Sequence, residues 1–181
     1  KQRLSLDQVA VVLAAQNPRK SPIEGASIEN RLEMLKIGLA PLSDYVKIDE
    51  QEVTRGGLSY TVETVENYAK TVSPENLFVI IGMDQLDQFD KWKDFEKILT
   101  MANLAVITRP GHNMPYETED LPSGLQSMVS EFEKSFIALK TGQHIEFIRL
   151  QEDVSASEIR KSLRMGRGVE KYLTAEVERY I

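Results

Sequence analysis

Five short apolar runs constrain this chain more than any other feature. They are residues 9–14 (VAVVLA), 45–48 (YVKI), 77–81 (LFVII), 104–107 (LAVI) and 145–150 (IEFIRL). The first, third and fourth are almost continuously apolar. That pattern marks strands covered on both faces in a parallel sheet, rather than strands with one wet face. Residues 77–81 are the most convincing buried strand by this pattern. Between the runs the apolar period changes to that of a helix. Ile28, Leu32, Leu35 and Leu39 recur at helical spacing, with Ser27 placed to cap them. Ser59-Tyr60-Thr61 opens a second helix through Val62, Val65, Tyr68 and Ala69. Residues 89–99 read as helical in part, 125–139 as helix and 169–181 as a closing helix or pair. Residues 49–58, ending in Gly56-Gly57, read as loop. Strands alternating with amphipathic helices predict an α/β fold, a doubly wound parallel sheet in a single domain over residues 1–181.

In such sheets ligands bind beyond the carboxyl ends of the strands, which directs attention to residues 16–20, 82–84, 109–111 and 154–160. Val154-Ser155-Ala156-Ser157-Glu158-Ile159-Arg160 changes from strand to helix, with Ser155 and Glu158 spaced as a capping box. Free amides, the positive end of the helix dipole and Arg160 suit an anion there. Ordinary capping and a solvated basic face fit the same local pattern. Gly82-Met83-Asp84 offers a close backbone approach and a carboxylate for a ribose hydroxyl, or simply a strand end and a helix cap. Ser59, Tyr60 and Thr61 present hydroxyls and amides at a helix start, for a small carboxylate or amide or for capping alone. Trp92, the single tryptophan, suits either a stacking surface or the core. Arg19 and Lys20 lie on a strand-end loop, facing a phosphate or water.

Composition narrows the classes. Hydrophobic residues make up 41% of the 181, enough for a sizeable core. A net charge of −6 argues against coating nucleic acid. The absence of cysteine excludes disulfides and thiolate metal sites and is compatible with a cytoplasmic protein. No apolar run approaches the roughly 20 residues of a membrane span. The two histidines, His112 and His144, lack a partner at ligand spacing, so no metal site is assigned.

Taken in order, these segments resemble the bacterial nicotinate-nucleotide adenylyltransferases, within the Rossmann-like nucleotidyltransferase group. The resemblance rests on Asn17-Pro18-Arg19-Lys20, Leu58-Ser59-Tyr60-Thr61 with Thr64, and Ile80-Ile81-Gly82-Met83-Asp84. It continues through Phe89 with Trp92, Arg109-Pro110-Gly111, the Ser155-Ala156-Ser157-x-Ile159-Arg160 piece, and the closing Tyr172-Leu173 and Val177-x-x-Tyr180-Ile181. It implies adenylyl transfer from ATP, with Mg²⁺ assisting, to nicotinate mononucleotide, giving deamido-NAD and pyrophosphate. Mapped by motif, Ser155, Ser157 and Arg160 would hold the ATP phosphates, making residues 150–181 a C-terminal phosphate-binding part. Gly82 and Asp84 would contact the adenosine. Ser59, Tyr60, Thr61 and Trp92 would hold the pyridine ring, with Arg109 and Lys20 as further mononucleotide contacts. The resemblance implies a cytoplasmic enzyme acting on small molecules, without nucleic-acid or membrane partners; a homo-oligomer is compatible with it. The family's Gly-Gly-x-Phe/Tyr-x-Pro-x-His-x-Gly-His segment has no counterpart here. No catalytic histidine is therefore assigned in this chain, and the first strand and phosphate loop are expected upstream of Lys1. Competing expectations are an adenylyltransferase for nicotinamide mononucleotide or another phosphorylated acceptor, and a nucleotide-binding module without catalysis.

Overall fold

The computed structural model describes residues 4–18, 26–108, 110, 113–150 and 154–181. In chain order the main elements are β1 (Val9–Val12), α1 (Ile28–Leu39), β2 (Val46–Asp49), α2 (Gln51–Arg55), α3 (Thr61–Tyr68), β3 (Phe78–Gly82), α4 (Met83–Leu86), α5 (Phe95–Met101), β4 (Asn103–Thr108), α6 (Ser123–Gln126), β5 (Val129–Glu133), β6 (Phe136–Leu139), β7 (His144–Arg149), α7 (Ala156–Arg164) and α8 (Ala175–Tyr180). The chain divides into two compact units, Lys1–Ser59 with Val154–Ile181, and Tyr60–Asp153. None of the described helices is long and apolar enough to cross a membrane.

In the first unit β1 and β2 pair in parallel, with Val9 opposite Val46 and Val12 opposite Asp49. A parallel bridge between Gln16 and Leu58 follows at their carboxyl end. Helix α1 starts where Ser27 Oγ accepts the Asn30 amide at 3.2 Å, as its position in the sequence predicted. Helix α8 packs against α1. Tyr180 Oη donates to Asn30 Oδ1 at 3.1 Å, and Val177 Cγ2 would lie 3.5 Å from a Cβ at Gly38. Residues 49–58 are not wholly loop, because α2 occupies Gln51–Arg55. Asp49 Oδ1 accepts the Gln51 amide at 2.8 Å and so starts that short helix.

In the second unit five strands run in the order β3-β4-β7-β6-β5. Strands β3, β4 and β7 are parallel, while β5 and β6 join them antiparallel. The parallel α/β expectation is met by the first three. The expected helix over residues 125–139 is overturned: only Ser123–Gln126 is helical, and the rest is the β5–β6 hairpin. The edge of β7 decides this, since β6 satisfies its backbone groups and buries Ile137 beside Ile145.

Strand β4 is almost wholly buried, whereas Ile80 in β3 is 46% exposed. Among the described residues β4 lies between two strands, while β3 pairs with β4 alone. One contiguous core unites Val62 and Val65 of α3, Leu86, Phe89, Ile98 and Leu99, the inner residues of β4, and Ile137, Ile145 and Phe147. Buried Asn103 ties its strand ends together: Nδ2 donates to the carbonyls of Pro74, Glu75 and Leu77 at 3.1–3.3 Å. Its Oδ1 accepts the His144 amide at 3.0 Å.

Candidate functional site

The candidate residues fall in both units, and each group is built locally. In the first unit, the segment after β1 is held by Ser59 and Arg31. The Ala15 amide donates to Ser59 Oγ at 2.9 Å, and the Ser59 amide donates to the Gln16 carbonyl at 2.8 Å. Arg31 Nη2 donates to the Ala14 carbonyl at 2.8 Å. Ser59 is buried, and its hydroxyl oxygen is engaged with this loop. Arg31 escaped the sequence reading. The available signal was a charged residue three positions after Ile28, on the apolar stripe of its helix. Lys20 lies outside the described residues.

Helix α7 forms as its residues predicted. Ser155 has extended backbone at φ −115° and ψ 118°, and its Oγ accepts the Glu158 amide at 3.4 Å. Only Ile159, Ser162 and Leu163 of the helix are partly covered. Ser157 and Arg160 are exposed one turn apart, with Arg160 Nη2 donating to Ser157 Oγ at 3.3 Å. A hydroxyl and a guanidinium thus stand together beside the helix's N-terminal turn, whose amides carry partial positive charge. The helix stops at Gly166, where φ is +63° and the Gly166 amide donates to the Leu163 carbonyl at 3.0 Å.

In the second unit, Gly82 ends β3 and leads into α4. The carboxylate of exposed Asp84 folds back over it: Asp84 Oδ1 is 2.5 Å from where a Cβ at Gly82 would stand. Asp84 Oδ2 also accepts from Gln85 Nε2 at 2.9 Å. A backbone edge and an acceptor pair therefore meet at the carboxyl end of this strand. Tyr60 precedes α3 without making a side-chain cap. The first-turn amides of a helix, Thr61 among them, have no acceptor within the helix. Lys93 Nζ sits 4.4 Å from the centre of the Tyr60 ring and 3.2 Å from Glu63 Oε1, which fixes the ring at the helix start.

Trp92 ends the tight turn Phe89–Lys91. It is neither a core residue nor fully free. It is half-buried, with its ring 5.0 Å from that of fully buried Phe89 at 40°. Arg109 lies outside the described residues, as does His112. His144 is placed where it cannot serve a site beyond the carboxyl ends, because it is the first residue of β7. Among the described residues no cluster of three or more His, Cys, Asp or Glu could hold a metal ion.

Residues 1–162 match the family described as cytidylyltransferase-like. The chain is 31% identical, over 173 residues, to a probable nicotinate-nucleotide adenylyltransferase of Legionella pneumophila; the match spans 93% of this chain and 80% of that protein. A probable nicotinate-nucleotide adenylyltransferase of Geotalea daltonii is 30% identical over 181 residues, covering 99% of this chain and 83% of its own. Among solved structures, the Plasmodium falciparum nicotinic acid mononucleotide adenylyltransferase complexed with NaAD superposes with a TM-score of 0.65 at 17% identity, over 97% of this chain and 80% of that one. That likeness establishes the Rossmann-like nucleotidyltransferase fold.

Proposed function

The chain belongs to the cytidylyltransferase-like family and, within it, to the nicotinate-nucleotide adenylyltransferases; from that premise we propose that it transfers the adenylyl group of ATP to nicotinate mononucleotide. The observation that carries this reading is 31% identity to such an enzyme across 93% of the chain. A phosphate oxygen of the mononucleotide attacks the α-phosphorus of ATP. A new P–O bond forms as the bond to the β-bridging oxygen breaks, and pyrophosphate leaves with the electron pair. The products are deamido-NAD and pyrophosphate, a step of NAD biosynthesis that takes place in the cytoplasm.

Such a reaction asks the protein for alignment and charge neutralisation rather than covalent help. Ser155, Ser157, Arg160 and the first amides of α7 hold the ATP phosphates. The exposed Ser157–Arg160 pair supports that role. Gly82 and Asp84 take the adenosine, supported by the carboxylate lying over the strand end. Ser59, Tyr60 and Thr61 hold the nicotinate group, with Trp92 stacked on its ring. Lys20 and Arg109 add mononucleotide contacts. ATP enters as its Mg²⁺ complex. In that complex the ion would neutralise charge on the phosphates, as suits a hard cation that keeps its water.

The test is pyrophosphate release by the full protein with MgATP and either nicotinate or nicotinamide mononucleotide. We expect release with the nicotinate form, much less with the amide, and loss of release on chelating Mg²⁺. Arg160→Ala should raise KM for ATP about tenfold, the worth of one charge-assisted contact, without moving KM for the mononucleotide. Equal turnover of both mononucleotides, or none of either, would overturn the reading.

A further inference from the structure

We propose that Gly124 and Phe95 are positioning residues for Trp92, setting the angle at which its indole meets the pyridine ring of the mononucleotide. This rests on the assignment of Trp92 as the stacking surface. The indole has no polar anchor: Trp92 Nε1 is buried without a hydrogen-bond partner among the described residues. Packing alone therefore decides the ring's orientation. Behind it stands fully buried Phe89, 5.0 Å away. Behind Phe89 stands Phe95, edge-on at 6.3 Å and 83°. These three rings form a row that ends at α6.

Gly124 is the point where α6 meets that row. A Cβ there would lie 2.9 Å from Phe95 Cζ and 2.8 Å from Asp90 Cβ. Both distances are closer than carbon atoms tolerate, so any side chain at 124 requires a neighbour to move. Asp90 Cβ is attached directly to the backbone of the turn that carries Trp92, two residues away. The Gly124 amide also donates to Asp90 Oδ2 at 3.3 Å. The glycine thus touches the Trp92 platform twice, through the phenylalanine row and through the turn. Displacement at either contact rotates or lifts the indole, because interiors pack too tightly to absorb a methyl group silently.

Trp92 is the single tryptophan among these 181 residues, so their tryptophan emission reports its environment. Gly124→Ala in the full protein should shift the emission maximum. It should raise KM for nicotinate mononucleotide about three- to tenfold, the range of one aromatic stacking contact. KM for ATP and kcat should stay within about twofold of the unaltered protein. Unchanged emission with unchanged KM overturns the proposal, as does an equal rise in both KM values with a fall in kcat. Should Gly124→Ala not fold, Phe95→Leu, which loosens the row instead of crowding it, must shift emission and KM for the mononucleotide in the same selective way. The unaltered protein separates the two layers. If saturating nicotinate mononucleotide leaves its emission unmoved, the stacking assignment falls and this proposal with it. If it quenches the unaltered protein and Gly124→Ala alike, with equal affinity, only the positioning role falls.

Discussion

The imidazole of His144 lies 4.8 Å from the ring of Phe136, nearly parallel to it, and 5.5 Å from the ring of Phe78, edge-on. Burial lowers its pKa below the usual histidine value, and Glu146 pulls it only partly back. The unfolded chain accepts a proton as pH falls through about 6.5, while the folded chain resists until a lower pH. Between those two values the unfolded state binds more protons. Stability is therefore complete above about pH 6.5 and drains away as pH falls through the folded value. His144→Phe keeps a ring in the slot and removes the titration. Its urea midpoint should fall less between about pH 7.5 and 5 than that of the unaltered protein; an equal fall in both would refute this account. In the sequence, His144 stands without a second histidine at ligand spacing. Its two ring neighbours were not legible, because Phe78, Phe136 and His144 meet only through the pairing of four strands, β3, β4, β7 and β6. Arg31 and Ser59 belong to the same class: their partners are loop carbonyls and amides far along the chain.

Residues 125–139 show what one element's pattern can conceal. Leu125, Met128, Val129, Phe132, Phe136 and Leu139 recur at spacings a helix would use. They fold as a hairpin, with a register shift between Val129 and Glu131 that moves Phe132 opposite Ile137. The shift brings Val129 and Phe132 to the face of Leu139 and Ile137, while Phe136 lies on the other face against His144. A free edge of β7 outweighs helix propensity, because its unpaired amides and carbonyls are costly to bury. Ile137 is fully buried at the centre of this hairpin. Ile137→Ala should cost about 3 kcal/mol in chemical denaturation, whereas a helix with a free face would lose far less. Helix α7 is the opposite case. Ser155 with Glu158 and the apolar pair Ile159 and Leu163 are local signals, and the helix they predict over this stretch is the one that forms.

At the scale of the molecule, substrates that bind only the folded chain must stabilise it. At 100 times its dissociation constant, nicotinate mononucleotide should add about 2.7 kcal/mol to the unfolding free energy. Thermal melts with the nicotinate and nicotinamide forms would read this directly, and equal shifts would contradict the proposed acceptor preference. The sequence alone determined the α/β class, the strand ends where the candidate residues stand, the cap of α7, and the resemblance that family membership confirmed. Each of these depends on neighbours within a few positions, or on short motifs in order. Tertiary structure alone decided the antiparallel hairpin on the sheet and the contacts of Asn103. It also decided the row from Gly124 to Trp92. These depend on which backbone edges and side chains meet across long stretches of chain, and no local period encodes that.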